Sequence, residues 1–281
     1  MKKTSYIIIA FWVCLFIGAV GVLLYIRSDV QPYGTLQRQL TGDSVLVART
    51  LPPFRHLVVT MPGWDTVKEV SQQKLFTFKG HLAFIPAERA EECDEFMQLP
   101  DGDTPPLTAN RMVCPRYIMD HLRFSTTNDT LRIELDVEID DKELRNYTAY
   151  RNVITNLDNW HFTLTRPLQS IDVRLPKLTS AYHYLQQDSL VVNTRGNFSL
   201  IRSDVGALDL RKSCEQHVDM MDSTHVERLY GRTAVEEYGQ PRIHFADGRG
   251  QSRVDCEIYS GTGFTVWLDS GYARRILWQP E

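Results

Sequence analysis

The sequence has no cluster of lysine or arginine residues, and its net charge is −4 at pH 7. Proteins that bind nucleic acid need a concentrated basic surface to neutralise phosphates, so we expect no nucleic-acid partner. Glycine and proline are scattered along the chain, so no long flexible linker is predicted. Hydrophobic residues make up 43% of the 281 positions and charged residues 23%, a composition that allows an ordinary globular core.

The common signatures of enzyme and metal sites are also missing. The chain has no G-x-S-x-G elbow, no H-x-H or H-E-x-x-H pair and no C-x-x-C motif. These are the local patterns of serine hydrolases, zinc proteases and zinc or redox cysteines. We therefore predict no catalytic residue, no cofactor and no metal site, and we expect a protein that is not an enzyme.

An enzyme that acts on glycans, or a carbohydrate-binding module, is the alternative to that prediction. Glycosidase carboxylates are paired in space and need not be neighbours in sequence, so acidic pairs cannot be dismissed by inspection. Two groups of residues could contribute to such a site, namely the acidic pairs Asp140–Asp141 and Glu236–Glu237 and the aromatics Tyr259, Trp267 and Tyr272. The histidines His217, His225 and His244 could share one face, but without a metal-ligand motif we do not expect a metal site there.

One long stretch near the N-terminus has no charge. Residues 7–26 read IIIAFWVCLFIGAVGVLLYI, and as a helix these 20 residues span roughly the thickness of a bilayer core. Lys2 and Lys3 precede the stretch, so the positive-inside rule places the N-terminus in the cytoplasm. The stretch is long for a cleaved signal peptide and ends without small residues, which favours an uncleaved anchor over cleavage.

The sequence thus predicts a single-pass protein of the inner membrane. Residues 1–27 form a cytoplasmic stub and transmembrane anchor, with the lipid bilayer as partner through residues 7–26. Residues 28–50 form a juxtamembrane connector and first strand, and residues 51–281 form a β-rich periplasmic or extracytoplasmic domain. An envelope protein or glycan is the expected, unidentified binding partner of that domain.

Four cysteines lie beyond the anchor, namely Cys93, Cys114, Cys214 and Cys256. An even number in an exported domain permits two disulfides, with three possible pairings. The simplest pairing joins Cys93 to Cys114 and Cys214 to Cys256. Reduced, buried thiols are the alternative, and we favour at least one disulfide.

The first half of the domain alternates strand-like segments with an acidic stretch. Residues 131–139 are the clearest strand because apolar and charged residues alternate strictly, and Asn128–Asp129 can form the turn from residues 121–126. Residues 86–116 are an acidic insertion that could bind calcium but fits a solvated surface better. Residues 140–158 are more helical in character. Further strands are predicted at 44–49, 55–60, 75–78 and 82–85, with Lys79–Gly80 as a turn between the last two.

From residue 160 onward, short apolar segments of four or five residues recur about every 8–11 residues. Such spacing fits a β-solenoid, a barrel or an antiparallel sandwich. The short segments and tight junctions favour a β-solenoid-like stack of short strands, with an antiparallel β-sandwich as the alternative. The predicted segments are 161–164, 171–175, 190–192, 198–201, 207–210, 217–220, 226–229, 234–238, 242–245, 254–259, 264–268 and 274–277.

Several segments share the pattern of one family of bacterial envelope domains. They are FRHLVV at 54–59, LRFSTTNDTLRI at 122–133, RPLQSIDVRLPKLTSAY at 166–182, NFSL at 197–200 and ALDL at 207–210. Over about residues 51–245 the chain resembles the Bacteroidetes head GIN domain family, the autotransporter adhesin head family. It departs from that family in its acidic insertion and in having less glycine and serine. The resemblance implies a β-solenoid and an interaction role, and it supplies no catalytic residues.

Short hydroxyl-containing motifs suggest modification sites. The tripeptide Asp-Ser/Thr-aliphatic/Thr resembles the Bacteroidetes O-glycosylation acceptor, although Asp-Ser and Asp-Thr are also common turn residues. It places candidate glycosylation sites at Ser44, Thr66, Thr130, Ser189 and Ser223. Three N-x-S/T sequons, at Asn128, Asn146 and Asn197, would matter only in a host with that N-linked machinery.

Overall fold

The structure is a computed structural model that describes residues 34–62, 76–93, 108–137, 150–210, 217–231, 242–246, 257–260, 265–268 and 277–280. The predicted anchor, residues 7–26, lies outside these ranges. Within them, no helix combines the length and apolar character that crossing a bilayer requires.

The described chain is built almost entirely of strands, which confirms the mainly β prediction. There are two short helical elements, the 3₁₀ helix η1 (Ala87–Glu92) and the single-turn helix α1 (Arg116–Met119). The strands are β1 (Gly34–Gln39), β2 (Leu46–Leu51), β3 (His56–Thr60), β4 (Phe76–Pro86), β5 (Asn110–Pro115), β6 (Leu122–Thr127), β7 (Thr130–Leu135), β8 (Tyr150–Leu164), β9 (Ser170–Val173), β10 (Thr179–His183), β11 (Gln186–Thr194), β12 (Phe198–Ile201), β13 (Asp204–Asp209), β14 (His217–Met221), β15 (His225–Gly231), β16 (Arg242–Ala246), β17 (Glu257–Ser260), β18 (Thr265–Leu268) and β19 (Leu277–Pro280).

The strands form two mixed sheets that face each other. Sheet A has ten strands, with the order β18-β16-β14-β12-β10-β4-β8-β5-β2 and β1 paired to β8. Sheet B has nine strands, with the order β19-β17-β15-β13-β11-β9-β3-β7-β6. From β9 onward, consecutive strands alternate between the sheets, and each strand from β9 to β17 pairs in parallel with the strand two places later. The two facing sheets fit the sandwich-like alternative, although the antiparallel pairs among the described strands are confined to β2, β5, β6, β7 and β8.

Equivalent apolar residues lie above one another in successive strands. In sheet A, Phe84 is opposite Tyr182, Tyr182 is opposite Leu200, and Leu200 is opposite Met220. All four side chains are buried and point towards sheet B, because residues of one parity share a face of a strand. This in-register stacking fills one continuous core between the sheets.

Large aromatic side chains dominate the middle of that core. Trp160, Phe162, Phe84 and Tyr182 are all less than 2% exposed. The Phe84 ring lies 5.1 Å from the Phe162 ring and 5.7 Å from the Tyr182 ring, measured between centroids. Burying each such side chain stabilises the fold by about 2–3 kcal/mol before the entropy cost of ordering it.

The hairpin predicted around Asn128–Asp129 is confirmed. Strands β6 and β7 are antiparallel, and both turn residues have left-handed backbones, with φ of 48° and 58°. Leu131, Ile133 and Leu135 are buried, and the residues between them are half-buried, as strict alternation requires.

The prediction of two strands with a turn at Lys79–Gly80 is wrong, because β4 runs without interruption from 76 to 86. The strand pairing with β8 shifts on both sides of Gly80. A Cβ atom at this position would lie 2.1 Å from the carbonyl oxygen of Leu157. Gly80 therefore marks a close backbone approach at a strand irregularity.

The helical prediction for residues 140–158 is wrong over its described part, because β8 begins at Tyr150. Asn156 and Asn159 have left-handed backbones, with φ of 69° and 63°, and interrupt the alternation of the strand. The buried residues Ile154, Leu157 and Trp160 are consequently spaced three apart, a period that resembles a helix.

Strands also occur where none was predicted. Within residues 28–50, for which the sequence predicts a connector and one strand at 44–49, the structure also contains β1, which pairs in parallel with the first part of β8. The acidic insertion contains η1 and β5, and β5 lies between β8 and β2 in sheet A. Strand β10 was missed because two of its core-facing residues, Ser180 and Tyr182, carry hydroxyl groups.

Candidate functional site

Three short turns carry the chain from sheet A to sheet B at one edge of the stack. We call residues 184–185, 202–203 and 222–224 the AB corners. The first residue of each, Tyr184, Arg202 and Asp222, has a left-handed backbone, with φ of 53°, 51° and 51°. Such values are uncommon for residues other than glycine, so the same strained turn recurs in three successive layers.

Hydrogen bonds continue through the AB corners from layer to layer. The backbone N–H of Tyr184 donates to the carbonyl of Ile201 (2.9 Å), and that of Asp204 donates to Leu185 (2.7 Å). The N–H of Arg202 likewise donates to a carbonyl of the next layer, 3.2 Å away. Backbone hydrogen bonds thus link successive layers at the corners as well as along the strands.

Two buried hydroxyl groups satisfy the backbone groups inside the corners. The N–H of Leu185 donates to Ser203 Oγ (3.1 Å), and the N–H of Ser203 donates to Thr224 Oγ1 (3.3 Å). Each hydroxyl donates in turn to a carbonyl of its own layer, Ile201 at 2.9 Å and Met221 at 2.6 Å. Ser203 and Thr224 are 2% and 0% exposed, so these contacts replace water.

Outside the AB corners lies a group of charged side chains around one tyrosine. We call Arg89, Glu92, Tyr184, Arg202 and Asp222 the corner cluster. The guanidinium carbons of Arg89 and Arg202 each lie 5.6 Å from the centre of the Tyr184 ring. Arg89 pairs with Glu92, Arg202 donates to the Tyr184 hydroxyl, and Arg202 lies 3.7 Å from Asp222. The cluster joins η1 to all three corners.

The charges of the corner cluster stay accessible. The side chains of Arg202 and Asp222 are 52% and 53% exposed. The hydrogen bond from Arg89 holds the pKa of Glu92 below its usual value, so this carboxylate stays charged. Exposed pairs of this kind add little to stability, whereas tyrosine and arginine are enriched where proteins bind one another.

Three histidines lie beside the corner cluster on the outer face of sheet A, namely His81, His161 and His183. His81 Nδ1 is 2.9 Å from Thr179 Oγ1, and His161 is 7% exposed. Burial is the main cause that lowers the pKa of His183 to about 4, and the nearby His81, Arg202 and His161 act in the same direction. Burial also lowers the pKa of His81. At neutral pH these two imidazoles are uncharged.

The histidine group is not arranged as a metal site. Among the residues that the structure describes, no three histidine, cysteine, aspartate or glutamate side chains are placed to hold an ion. Of the three histidines that sequence suggested could share a face, His217 and His244 lie on β14 and β16 of sheet A, whereas His225 lies on β15 of sheet B. That suggestion is therefore wrong for His225.

The predicted bridge between Cys93 and Cys114 is not present. Cys114 lies in the core between the sheets, whereas Cys93 packs on the outer side of sheet A, against the group of Ala83 and Ile85. The sheet itself separates the two sulfurs. Burial raises the pKa of the Cys114 thiol to about 12, so it is unreactive at neutral pH. Cys214 and Cys256 lie outside the described residues.

Three of the predicted O-glycosylation residues are exposed, namely Ser44, Ser189 and Ser223. Thr130 is half-buried at the start of β7, and Thr66 lies outside the described ranges. The sequon residues Asn128 and Asn197 are exposed, and Asn146 is not described. Accessibility is compatible with modification, which stays a prediction.

Of the residues suggested for a glycan site, the two that the structure describes lie on different sheets. Tyr259 lies on β17 of sheet B and Trp267 on β18 of sheet A. Tyr272 and the acidic pairs 140–141 and 236–237 fall outside the described residues. The described residues therefore contain no group that supports the glycan-binding alternative.

Sequence reasoning missed the corner cluster entirely. Its residues come from η1 and three separate turns, and none belongs to a recognisable motif. The one available signal was the recurrence of a polar or aromatic residue after a strand end, as in His183-Tyr184-Leu185 and Ile201-Arg202-Ser203, with Met221-Asp222-Ser223 in the next layer.

No protein-family model matches the sequence, and no curated protein is significantly similar to it. Among solved structures, the chain is similar to the crystal structure of a candidate lipid binding protein from Parabacteroides distasonis, with 9% identity and a TM-score of 0.27. That alignment covers 83% of this chain and 100% of the other. A TM-score this low establishes neither a common fold nor a common activity.

Proposed function

We propose that the protein is a membrane-anchored, non-enzymatic interaction or scaffold protein of the bacterial cell envelope, with an adhesin-like, β-solenoid-like head. The observation that carries this proposal is the filled core between the two sheets. Apolar side chains from β3 to β15 occupy that space, and most are 0% exposed. What the head offers to another molecule is therefore its outer surface.

The outer face of sheet B supports this proposal. Its half-buried polar residues form pairs along and across the strands. Arg174 Nη2 lies 2.7 Å from Asp172 Oδ2, and Asn193 Nδ2 donates to Asp172 Oδ1 at 3.0 Å. Arg132 and Glu134 form a similar pair on β7, 2.8 Å apart. A face of paired polar groups suits recognition of a protein or glycan.

The corner cluster is the best candidate contact point on that surface. It combines an aromatic ring with two guanidinium groups, the residue types that dominate binding energy at interfaces. Contacts with η1 and the corner backbone hold the ring in place before binding. A pre-ordered side chain loses less entropy when a partner binds.

The proposed anchor would keep this surface near the membrane. Seven residues, 27–33, separate the uncharged stretch from β1. Even fully extended, at about 3.5 Å each, they span roughly 25 Å. The described domain would then act within a few tens of ångströms of the bilayer, as an envelope scaffold requires.

Site-specific photo-crosslinking in intact cells tests the interaction role. A photoreactive residue would replace Asp222 in the corner cluster, and a control would carry it at the exposed Thr127 of the β6–β7 hairpin. We expect a discrete adduct from position 222 that disappears when Arg202→Ala and Tyr184→Ala are added. Identical adducts from both positions, or none from either, would count against the corner cluster as the contact site.

A further inference from the structure

A buried arginine on β5 has no charged partner that the structure describes. Arg111 is 2% exposed, and its Nε and Nη1 atoms have no hydrogen-bond partner among the described residues. Its neighbours Met112 and Cys114 lie in the core. By strand alternation Met112 points inward, so Arg111 points to the outer side of sheet A.

Burial lowers the pKa of Arg111. A guanidinium nevertheless keeps its charge throughout the physiological range, because its ordinary pKa is above about 12. An unpaired charge in a desolvated place costs several kcal/mol. A negatively charged group is therefore needed beside this side chain.

The strand neighbours of Arg111 on the same face carry hydroxyl, imidazole or apolar side chains. Helix η1 packs Ala90 against Ala83 and Ile85 of this face, and its three glutamates are exposed to solvent. Thr50 on β2 and Thr163 on β8 stand directly opposite Arg111 in the two antiparallel pairs. Val113 and His161 occupy the next row. Across the described strands β2, β5, β8 and β4, neither row contains an aspartate or a glutamate. The first row is Thr50, Arg111, Thr163 and Ile85, and the second is Ala48, Val113, His161 and Ala83.

We propose that the outer face of sheet A at Arg111 binds an oxyanion, that is, a carboxylate, phosphate or sulfate group, between the guanidinium and the Thr163 hydroxyl. The planar guanidinium presents parallel N–H donors that match two oxygens of such a group. Thr163 is 2% exposed, so a bound oxygen would be shielded from water there. Neither the anchor nor the corner cluster enters this argument, so the site can exist whether or not the proposed function holds.

Titration calorimetry of inorganic phosphate into the full-length chain, held in a neutral detergent at constant ionic strength, tests the proposal. We expect saturable binding by the wild-type protein and at least tenfold weaker binding by Arg111→Met. Arg116→Met is the matched control, because Arg116 is an exposed arginine five positions along the chain. It should bind as the wild type does.

Three further measurements distinguish the sources of the oxyanion and guard against misfolding. Thr163→Val replaces the hydroxyl with a methyl group and should weaken phosphate binding. It therefore tests the proposal even if Arg111→Met fails to fold. Acetate and sulfate in place of phosphate report other free oxyanions. Vesicles of phosphatidylglycerol, compared with phosphatidylcholine, report a lipid headgroup.

Absence of saturable binding by the wild-type chain to all of these probes would overturn the proposal. So would equal binding by wild type, Arg111→Met and Thr163→Val. If the wild-type chain binds none of these probes but Arg111→Met strongly destabilises it, the result would instead indicate that a carboxylate of the protein itself pairs with Arg111.

Discussion

At the scale of single residues, His183 is an imidazole that burial keeps uncharged at neutral pH. The pKa of this imidazole is about 4 in the folded chain, chiefly because it is buried, against an ordinary value of 6.5. Between these pH values the unfolded chain binds a proton that the folded chain does not. The contribution of the uncharged His183 to the free energy of unfolding is therefore fully present above pH 6.5, and it is lost as the pH falls towards 4.

Replacing His183 should flatten the pH dependence of stability. We expect the wild-type free energy of unfolding to fall by roughly 2–3 kcal/mol more than that of His183→Gln between pH 7 and pH 4. Urea unfolding at closely spaced pH values measures this difference. Ser199→Ala, a change at a half-buried position on the same sheet, should keep the wild-type profile. Parallel profiles for wild type and His183→Gln would refute the assignment.

Gly196 is a second residue with a sharply defined environment. A Cβ atom there would lie 1.8 Å from the carbonyl oxygen of Leu178 in the adjacent layer. We expect Gly196→Ala to destabilise the protein by about 2 kcal/mol or more, because backbone must move to relieve the clash. The exposed neighbour Asn197→Ala should change thermal stability little. A melting temperature for Gly196→Ala equal to that of wild type would show that the layers do not approach so closely.

At the scale of elements, the AB corners depend on the buried hydroxyls of Ser203 and Thr224. Ser203→Ala leaves the N–H of Leu185 without its acceptor, and Thr224→Val does the same for the N–H of Ser203. Each buried donor left without a partner costs about 1–3 kcal/mol.

We expect both substitutions to reduce the free energy of unfolding by that amount, and their effects to be non-additive because the two hydroxyls share one network. Chemical denaturation of the two single variants and the double variant measures the coupling. Ser199→Ala is again the control. Additive losses would mean that adjacent corners are energetically independent.

Elements with regular side-chain patterns could be predicted from the sequence, and elements shaped by neighbouring strands could not. Strand β7 could be predicted because apolar and charged residues alternate along it. The turn at Asn128–Asp129 could be predicted because asparagine and aspartate tolerate left-handed backbones. The helical prediction for residues 140–158 overlaps the start of β8, where left-handed residues such as Asn156 interrupt the two-residue alternation that would mark a strand. The candidate contact site was beyond prediction, since Tyr184 and Arg202 meet only through parallel stacking.

At the scale of the whole molecule, the parallel alternation of strands between two sheets explains why local pattern was informative at all. Each layer places short apolar segments in a common core, so these segments recur in the sequence after residue 160 and could be predicted from it. The order of strands before β9 was not, because β5 lies between β2 and β8, strands from which it is distant in the sequence, and no short motif encodes that pairing.

The membrane anchor is the prediction on which the location of the protein depends. If residues 7–26 stay in the bilayer, the mature chain should keep its original N-terminal segment, remain in the membrane after carbonate extraction, and be digested by protease added to spheroplasts. N-terminal sequencing of the native protein is the decisive measurement. A mature first residue beyond position 26, in a soluble fraction, would contradict the anchor.

Parallel stacking also bears on how such a chain can change length. Leu190, Leu208 and Leu229 occupy the same place in adjacent layers, and they are 18 and 21 residues apart. Because each layer hydrogen-bonds only to the next, an in-frame duplication of one such unit would add a rung without altering the rest. Every added rung would lengthen the molecule by about 4.8 Å, the spacing of neighbouring strands. Gene duplication could thereby adjust its reach in small, equal steps.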